Sequence, residues 1–155
     1  MADPDRLKLA AFDEEDLAVV SAHVQDAVLK VGDMVYLPKE RRFAVAMNRF
    51  IWETVNGERH DYERRRSVLS FDRVMAAKTS LVDRNKPDAV LELLAVSFTA
   101  TDAPAGLVTL FFAGGAAVQI EVEVIEARLA DLGPAWATTA VPKHDLAEGE
   151  AKSGA

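Results

Sequence analysis

Apolar and polar side chains alternate with a period of two along most of this chain. The clearest segments are RFAVAMNRFIWE (residues 42–53) and AAVQIEVEVI (residues 116–125). Such alternation is typical of β-strands that bury one face. The same pattern, or a short apolar run bounded by turn residues, predicts further strands over residues 7–13, 28–38, 67–82, 89–101 and 107–112.

One segment near the N-terminus follows a helical period instead. Leu17, Val20 and Val24 recur at the spacing of one helix face, and Asp13 precedes them as a suitable N-cap. The pattern predicts a helix from Glu14 to Gln25.

A second helix is predicted in IEARLADLGP. Ile125, Leu129 and Leu132 lie on one face if the segment is helical, Gly133 suits the position after the last turn, and Pro134 prevents continuation. We expect this helix to bury Leu129.

These elements predict an α+β fold. Short turns between strands indicate an antiparallel meander of six to seven strands, because parallel pairs need long crossovers. We expect a rolled half-barrel, similar to the pleckstrin-homology arrangement, with an N-terminal helix and a C-terminal helix capping the open end. The alternative is an open antiparallel sheet with both helices on one face. Residues 1–142 are expected to form a single domain and residues 143–155 a disordered tail.

Composition restricts the class of protein. Of the 155 residues, 50% are apolar and 28% charged, which is ordinary for a globular protein. The absence of cysteine excludes disulfides, thiolate metal sites and cysteine nucleophiles. No apolar run reaches the length of a signal peptide or a membrane span, so we expect a soluble bacterial cytoplasmic protein with no membrane contact.

Charge is distributed unevenly along the chain. Residues 39–86 carry 12 basic and seven acidic side chains, whereas the segments on either side are acidic and the whole chain carries −7. This basic island suggests an anion-binding surface. The binding residues expected there are Arg41, Arg42, Arg49, Arg59, His60, Arg64, Arg65, Arg66 and Arg73.

The same island also has a purely structural interpretation. Acidic residues such as Glu58, Asp61 and Glu63 are interspersed among the arginines, and surface pairs of this kind contribute little. If the island binds a partner, replacing the arginines at positions 64–66 should abolish binding and leave stability nearly unchanged.

Three motifs carry a resemblance to a known family. LPKERRF, FAGGAAVQIEVE and IEARLADLGPAWAT together resemble a family of small uncharacterised bacterial proteins, known only as a domain of unknown function. The likeness runs from Leu7 to Thr138. It implies no activity, cofactor or catalytic residue.

Catalytic and metal chemistry find little support. His23, His60 and His144 are far apart and none forms a pair with ligand spacing, so we predict no metal site and no cofactor. Gly114 and Gly115 lie between two strands, which favours a hairpin turn over a phosphate loop. We assign no catalytic residue.

Three hypotheses for function follow. The first is a non-enzymatic binding or adaptor domain whose arginine-rich loop and strand edge recognise an acidic protein segment or a phosphorylated ligand. The second is a homodimer in which the acidic helix or the acidic C-terminal third of one copy meets the basic island of another. The third is an enzyme centred on His60, Asp61 and Tyr62. An island of this charge does not support strong nonspecific nucleic-acid binding.

Overall fold

A computed structural model describes residues 6–51, 62–133 and 136–138. Within these ranges the chain forms one α-helix, α1 (Glu14–Val24), and an antiparallel sheet of eleven strands. The strands are β1 (Lys8–Ala11), β2 (Val28–Lys30), β3 (Met34–Leu37), β4 (Arg42–Phe50), β5 (Tyr62–Phe71), β6 (Val74–Ser80), β7 (Val90–Asp102), β8 (Ala105–Phe112), β9 (Ala117–Val122), β10 (Ala127–Asp131) and β11 (Trp136–Thr138).

The order of strands in the sheet differs from a meander. The path runs β1-β10-β5-β4-β2-β7-β8-β9-β6, while β3 pairs with β4 and β11 pairs with β5. The predicted meander of six to seven strands is therefore wrong. Several neighbouring strands are distant in sequence. β10 lies between β1 and β5, and β2 lies between β4 and β7.

Consecutive strands pair at several places, and the hairpin turn predicted at Gly114 and Gly115 is confirmed. β4 and β5 pair in continuous register from Phe43 opposite Phe71 to Phe50 opposite Arg64. The turn between β8 and β9 contains Gly114 with a φ of 85° and its glycine neighbour with a φ of 90°. This left-handed conformation costs glycine little, which explains the double glycine.

The predicted C-terminal helix is wrong, because the segment is a strand. In β10 the side chains of Ala127, Leu129 and Asp131 are buried, whereas Leu132, which would share the helix face with Leu129, is 53% exposed. Five residues are too few to separate a period of two from a helical period. Pairing decides the outcome, since β10 satisfies its backbone groups against β1 on one side and β5 on the other. The described residues contain one α-helix, so the predicted rolled half-barrel capped by a C-terminal helix is wrong. The alternative, an open sheet with both helices on one face, is wrong for the same reason.

The N-terminal helix is confirmed over Glu14–Val24. The Asp13 carboxylate accepts the backbone N–H of Asp16 at 2.8 Å, as an N-cap should. The three apolar residues expected on the inner face are buried in the core. No helix in the described ranges is long and apolar enough to cross a membrane.

The inner face of the sheet changes character along β5 and β10. Leu69 lies opposite both Val45 and Leu129, and all three are fully buried in the apolar core. Two residues away on the same face, the opposing pair is Ser67 and Asp131, which are also buried. One end of the inner face is therefore polar although it is closed to solvent.

The strand predicted over residues 67–82 divides into two at a sharp corner. Arg73 has a φ of 61°, and the chain leaves β5 at this point to pair as β6 with β9. The N–H of Val74 donates to the carbonyl oxygen of Arg41 at 2.9 Å. This bond holds the beginning of β6 against the turn between β3 and β4.

Substitution at Leu129 and Leu132 tests the strand against the helix. Leu129→Asp should lower the free energy of unfolding by several kcal/mol, because it places a carboxylate in the apolar core, and Leu129→Ala should cost about 2–5 kcal/mol. Leu132→Asp should change it by less than about 0.5 kcal/mol, because that side chain is exposed in the strand. Urea titration measures all three. Equal losses at both positions would contradict the strand.

Candidate functional site

The predicted binding arginines that the structure describes lie in three different environments. In the first, Arg49 is fully buried and binds the Asp131 carboxylate with two donors, Nε to Oδ1 at 3.1 Å and Nη2 to Oδ2 at 3.0 Å. The Ser67 hydroxyl donates to the same carboxylate at 2.6 Å, and the backbone N–H of Leu7 also donates to it, at 2.8 Å. These contacts connect β4, β5 and β10 to the segment that leads into β1.

The Asp131 carboxylate is ionised in this setting. Burial alone would raise its pKa, but the hydrogen bonds from Arg49, Ser67 and Leu7 and the charge of Arg49 outweigh burial and hold the pKa below its usual value. Arg65 is also buried, with its Nε 3.9 Å from an Asp131 oxygen. Arg49 and Arg65 are therefore enclosed within the protein.

A second environment is found on the opposite face of β5. Arg64 donates to the carbonyl oxygens of Asn48 at 2.9 Å and Asp26 at 3.4 Å, and its guanidinium lies 5.6 Å from the centre of the Phe50 ring. Burial lowers the pKa of Arg64, and the charges of Asp26 and Glu92 oppose this shift. The donors described for this side chain point into the protein.

Arg66, on the same face, bridges two elements. One nitrogen donates to the Asn48 side-chain oxygen at 3.1 Å and the other contacts Asp33 at 3.3 Å. These contacts hold β5 and β4 to the turn between β2 and β3.

The third environment is a surface ion cluster at the corner between β5 and β6. Arg42 contacts Asp72 at 2.8 Å, and Arg73 contacts Glu126 at 3.1 Å. Half-exposed ion pairs of this kind contribute little to stability, but the opposite charges within each pair partly neutralise each other. The cluster consists of Arg41, Arg42, Arg73 and Arg128 with Asp72, Glu123 and Glu126.

Two of the predicted binding residues, Arg59 and His60, lie outside the described residues. The set His60, Asp61 and Tyr62 therefore stays a hypothesis, as does anion binding by the island. No group of three His, Asp or Glu side chains that could hold a metal ion occurs over the part of the chain that the structure describes.

A cleft opens between β3 and β6, on residues that the sequence did not indicate. At one end, Val74 is bonded to Arg41 as described above. At the other end, Val31 and Gly32 donate backbone bonds to the carbonyl oxygens of Ala89 at 2.9 Å and Pro87 at 2.8 Å, which hold segment 81–89 against the turn after β2. Between these two sets of backbone hydrogen bonds, β3 and β6 do not pair with each other. We call this space the β3–β6 cleft.

The β3–β6 cleft has an apolar floor and a polar rim. Its volume is about 390 Å³, within the range of small-ligand sites. The floor includes the buried side chains of Val31, Phe43 and Val118. Residues 34–36 of β3 and 77–79 of β6 form the two walls, and Arg84 borders the opening.

Two cations border the β3–β6 cleft and differ from the predicted binding arginines, although both lie within the basic island. Lys78 and Arg84 are exposed, and neither has an ion pair within 4.0 Å among the residues with a described placement. The neighbouring Asp83 carboxylate accepts the backbone N–H of Asn85 at 3.0 Å. No local motif could have identified this site, because its walls come from segments about 40 residues apart that the corner at Arg73 and the backbone bonds of Val31 and Gly32 bring together.

Comparison with known proteins gives a family and nothing more specific. A family model described as "Protein of unknown function (DUF2948)" matches residues 7–144. The match confirms the resemblance seen in the sequence motifs. No curated protein matches the chain, and no solved structure matches it.

The Asp131 carboxylate predicts a specific loss of stability in acid. Because its pKa is lowered by folding, its contribution is complete above about pH 4 and disappears as pH falls through the lowered value. Asp131→Asn should therefore reduce the free energy of unfolding by about 3 kcal/mol at pH 7, and the difference from wild type should shrink below pH 4. Urea titrations between pH 2 and pH 7 measure this. Asp72→Asn, in the surface ion cluster, is the control and should cost less than about 1 kcal/mol.

Burial also changes the expectation for the arginines at positions 64–66. Arg65→Ser should lower the free energy of unfolding by about 2 kcal/mol, because it removes an enclosed donor. Arg66→Ser should cost less than about 1 kcal/mol, since that side chain is 39% exposed. Thermal denaturation of the two single variants distinguishes them, and a neutral Arg65→Ser would show that its buried contacts are dispensable.

Proposed function

Because the chain belongs to the DUF2948 family of proteins of unknown function, we propose its function from geometry: it is a non-catalytic binding domain for an acidic segment of a protein partner. An acidic protein segment is one of the two ligands expected from the sequence, the other being a phosphorylated ligand. The site is the β3–β6 cleft, in place of the arginine-rich segment.

The observation that carries this proposal is the pair of exposed cations at the cleft. Lys78 and Arg84 have no ion pair with a described residue, whereas Arg42, Arg49 and Arg66 each contact a carboxylate. A cation whose charge is already offset by a neighbouring carboxylate attracts a new anion less strongly than an unpaired cation does. Lys78 and Arg84 can contact an incoming carboxylate without breaking an ion pair of the protein.

The composition of the cleft also favours binding over catalysis. Its described lining contains no histidine and no carboxylate that could serve as a general acid or base. The buried Phe43 and Val118 offer apolar surface, and the hydroxyls of Tyr36 and Thr79 offer hydrogen bonds. An apolar floor beside exposed cations suits a chain segment in which apolar and acidic residues alternate.

Titration with a defined peptide tests the proposal. The probe is acetyl-Glu-Val-Glu-Val-Glu-amide, monitored by chemical-shift changes of the isotope-labelled protein at low salt. Binding should perturb residues of β3, β6 and segment 81–89 and should weaken as salt is raised. The peptide with lysine in place of glutamate should not bind.

Charge removal at the cleft provides the matched comparison. The double variant Lys78→Gln, Arg84→Gln should weaken binding at least about tenfold, because both unpaired cations are lost. Arg6→Gln removes an exposed cation that has no ion pair with a described residue and lies outside the cleft, and it should leave affinity within about twofold. Failure of the peptide to bind, or equal losses in both proteins, would contradict the proposal.

A further inference from the structure

We infer that the partner segment binds as an added β-strand between β3 and β6. This inference rests on the proposed function and specifies how the same cleft recognises its ligand. The alternatives are a carboxylate bound through its charge alone and a second copy of this chain.

Each wall of the β3–β6 cleft is the edge of a strand. In the described part of the chain β3 pairs with β4 alone, from Met34 opposite Val45 to Leu37 opposite Arg42, and β6 pairs with β9 alone. An edge strand has backbone N–H and C=O groups on its unpaired side that can pair with another chain. Because residues of both strands line the cleft, these groups border the same space.

The two edges run in opposite directions. β3 ends at the turn that contains Arg41, and β6 begins beside the same turn at Val74. An added strand would therefore be antiparallel to one wall and parallel to the other. Both arrangements form regular hydrogen-bond ladders. The four residues of β3 limit the added strand to about four or five residues at about 3.3 Å each.

Side-chain alternation on the walls specifies the sequence of the ligand. Thr79 of β6 lies opposite the buried Val118 and so is on the inner face of the sheet, where it is exposed to the cleft, whereas Lys78 lies opposite Gln119 on the other face. An added strand would place every second side chain over Phe43 and Val118 on the floor. The remaining side chains would lie on the face of Lys78, where acidic residues make favourable cross-strand pairs.

Charge argues against a second copy of this chain as the occupant. Pairing β6 with β6 of another copy would bring two Lys78 side chains onto one strand ladder, and a lysine on an edge strand discourages such association. The same lysine favours an acidic segment. The added strand is therefore assigned to a partner with alternating small apolar and acidic residues.

Methylation of peptide nitrogens tests strand addition separately from binding. In acetyl-Glu-Val-Glu-Val-Glu-amide, one derivative carries N-methyl on the second residue and another on the third, so that the lost N–H groups point to opposite edges. Both derivatives should bind at least about tenfold more weakly than the parent. Methylation of the C-terminal amide, beyond the predicted ladder, is the control and should change affinity less than about twofold.

A protein variant supplies an independent readout. Ala77 faces the cleft from β6 and is partly buried against the core. Ala77→Met should fill the space over the floor and abolish peptide binding, while the circular dichroism spectrum and the melting temperature stay close to wild type. If this variant fails to fold, the methylated peptides with the wild-type protein still decide the question.

The outcomes separate the two proposals. If the parent peptide does not bind, the proposed function fails and strand addition fails with it. If the parent binds and neither methylated derivative is weakened, the binding function stands and strand addition is overturned. If N-acetylglutamate binds as tightly as the peptide, the cleft holds a small carboxylate and strand addition is again overturned.

Discussion

The Asp131 carboxylate is the contact on which one half of the sheet depends. It accepts hydrogen bonds from β4, β5 and the segment before β1, and it belongs to β10, so four neighbouring parts of the sheet share one acceptor. A one-residue slip of β10 would move the carboxylate to the outer face and leave Arg49 without this partner in the interior. The buried ion pair thus fixes strand register in a region where apolar alternation ends.

The other half of the sheet is arranged by the corner at Arg73. Because the chain turns there and pairs as β6 with β9, β6 begins next to the turn after β3, and beyond this point β6 and β3 separate without pairing. The β3–β6 cleft results from this separation. Apolar residues that belong to the common core, such as Phe43 and Val118, form its floor. The proposed binding site is therefore a product of incomplete closure of the sheet.

Local patterns were sufficient for α1, for the position of most strands and for the hairpin turn at residues 113–115. They failed at residues 125–132, where a helical spacing and a strand spacing coexist and long-range pairing with β1 and β5 decides between them. They failed again at the corner, since Asp72 and Arg73 look like part of one strand. Because the β3–β6 cleft depends on this corner, no local pattern identifies Lys78 and Arg84 as binding residues. The predicted binding arginines, as far as the structure describes them, contact carboxylates or carbonyl oxygens of the protein itself.

The order in which the chain is synthesised gives the Asp131 contact a consequence in time. Leu7 and Asp131 are 124 positions apart, and β10 is the neighbour of β1 in the described sheet. At about 5–20 residues per second, a ribosome makes this interval in roughly 6–25 s. During that time β1 has no strand partner in the described sheet, because β10 has not yet been made. β1 thus leaves the ribosome well before β10, its strand partner in the described sheet, and this sheet cannot form in the order of the sequence.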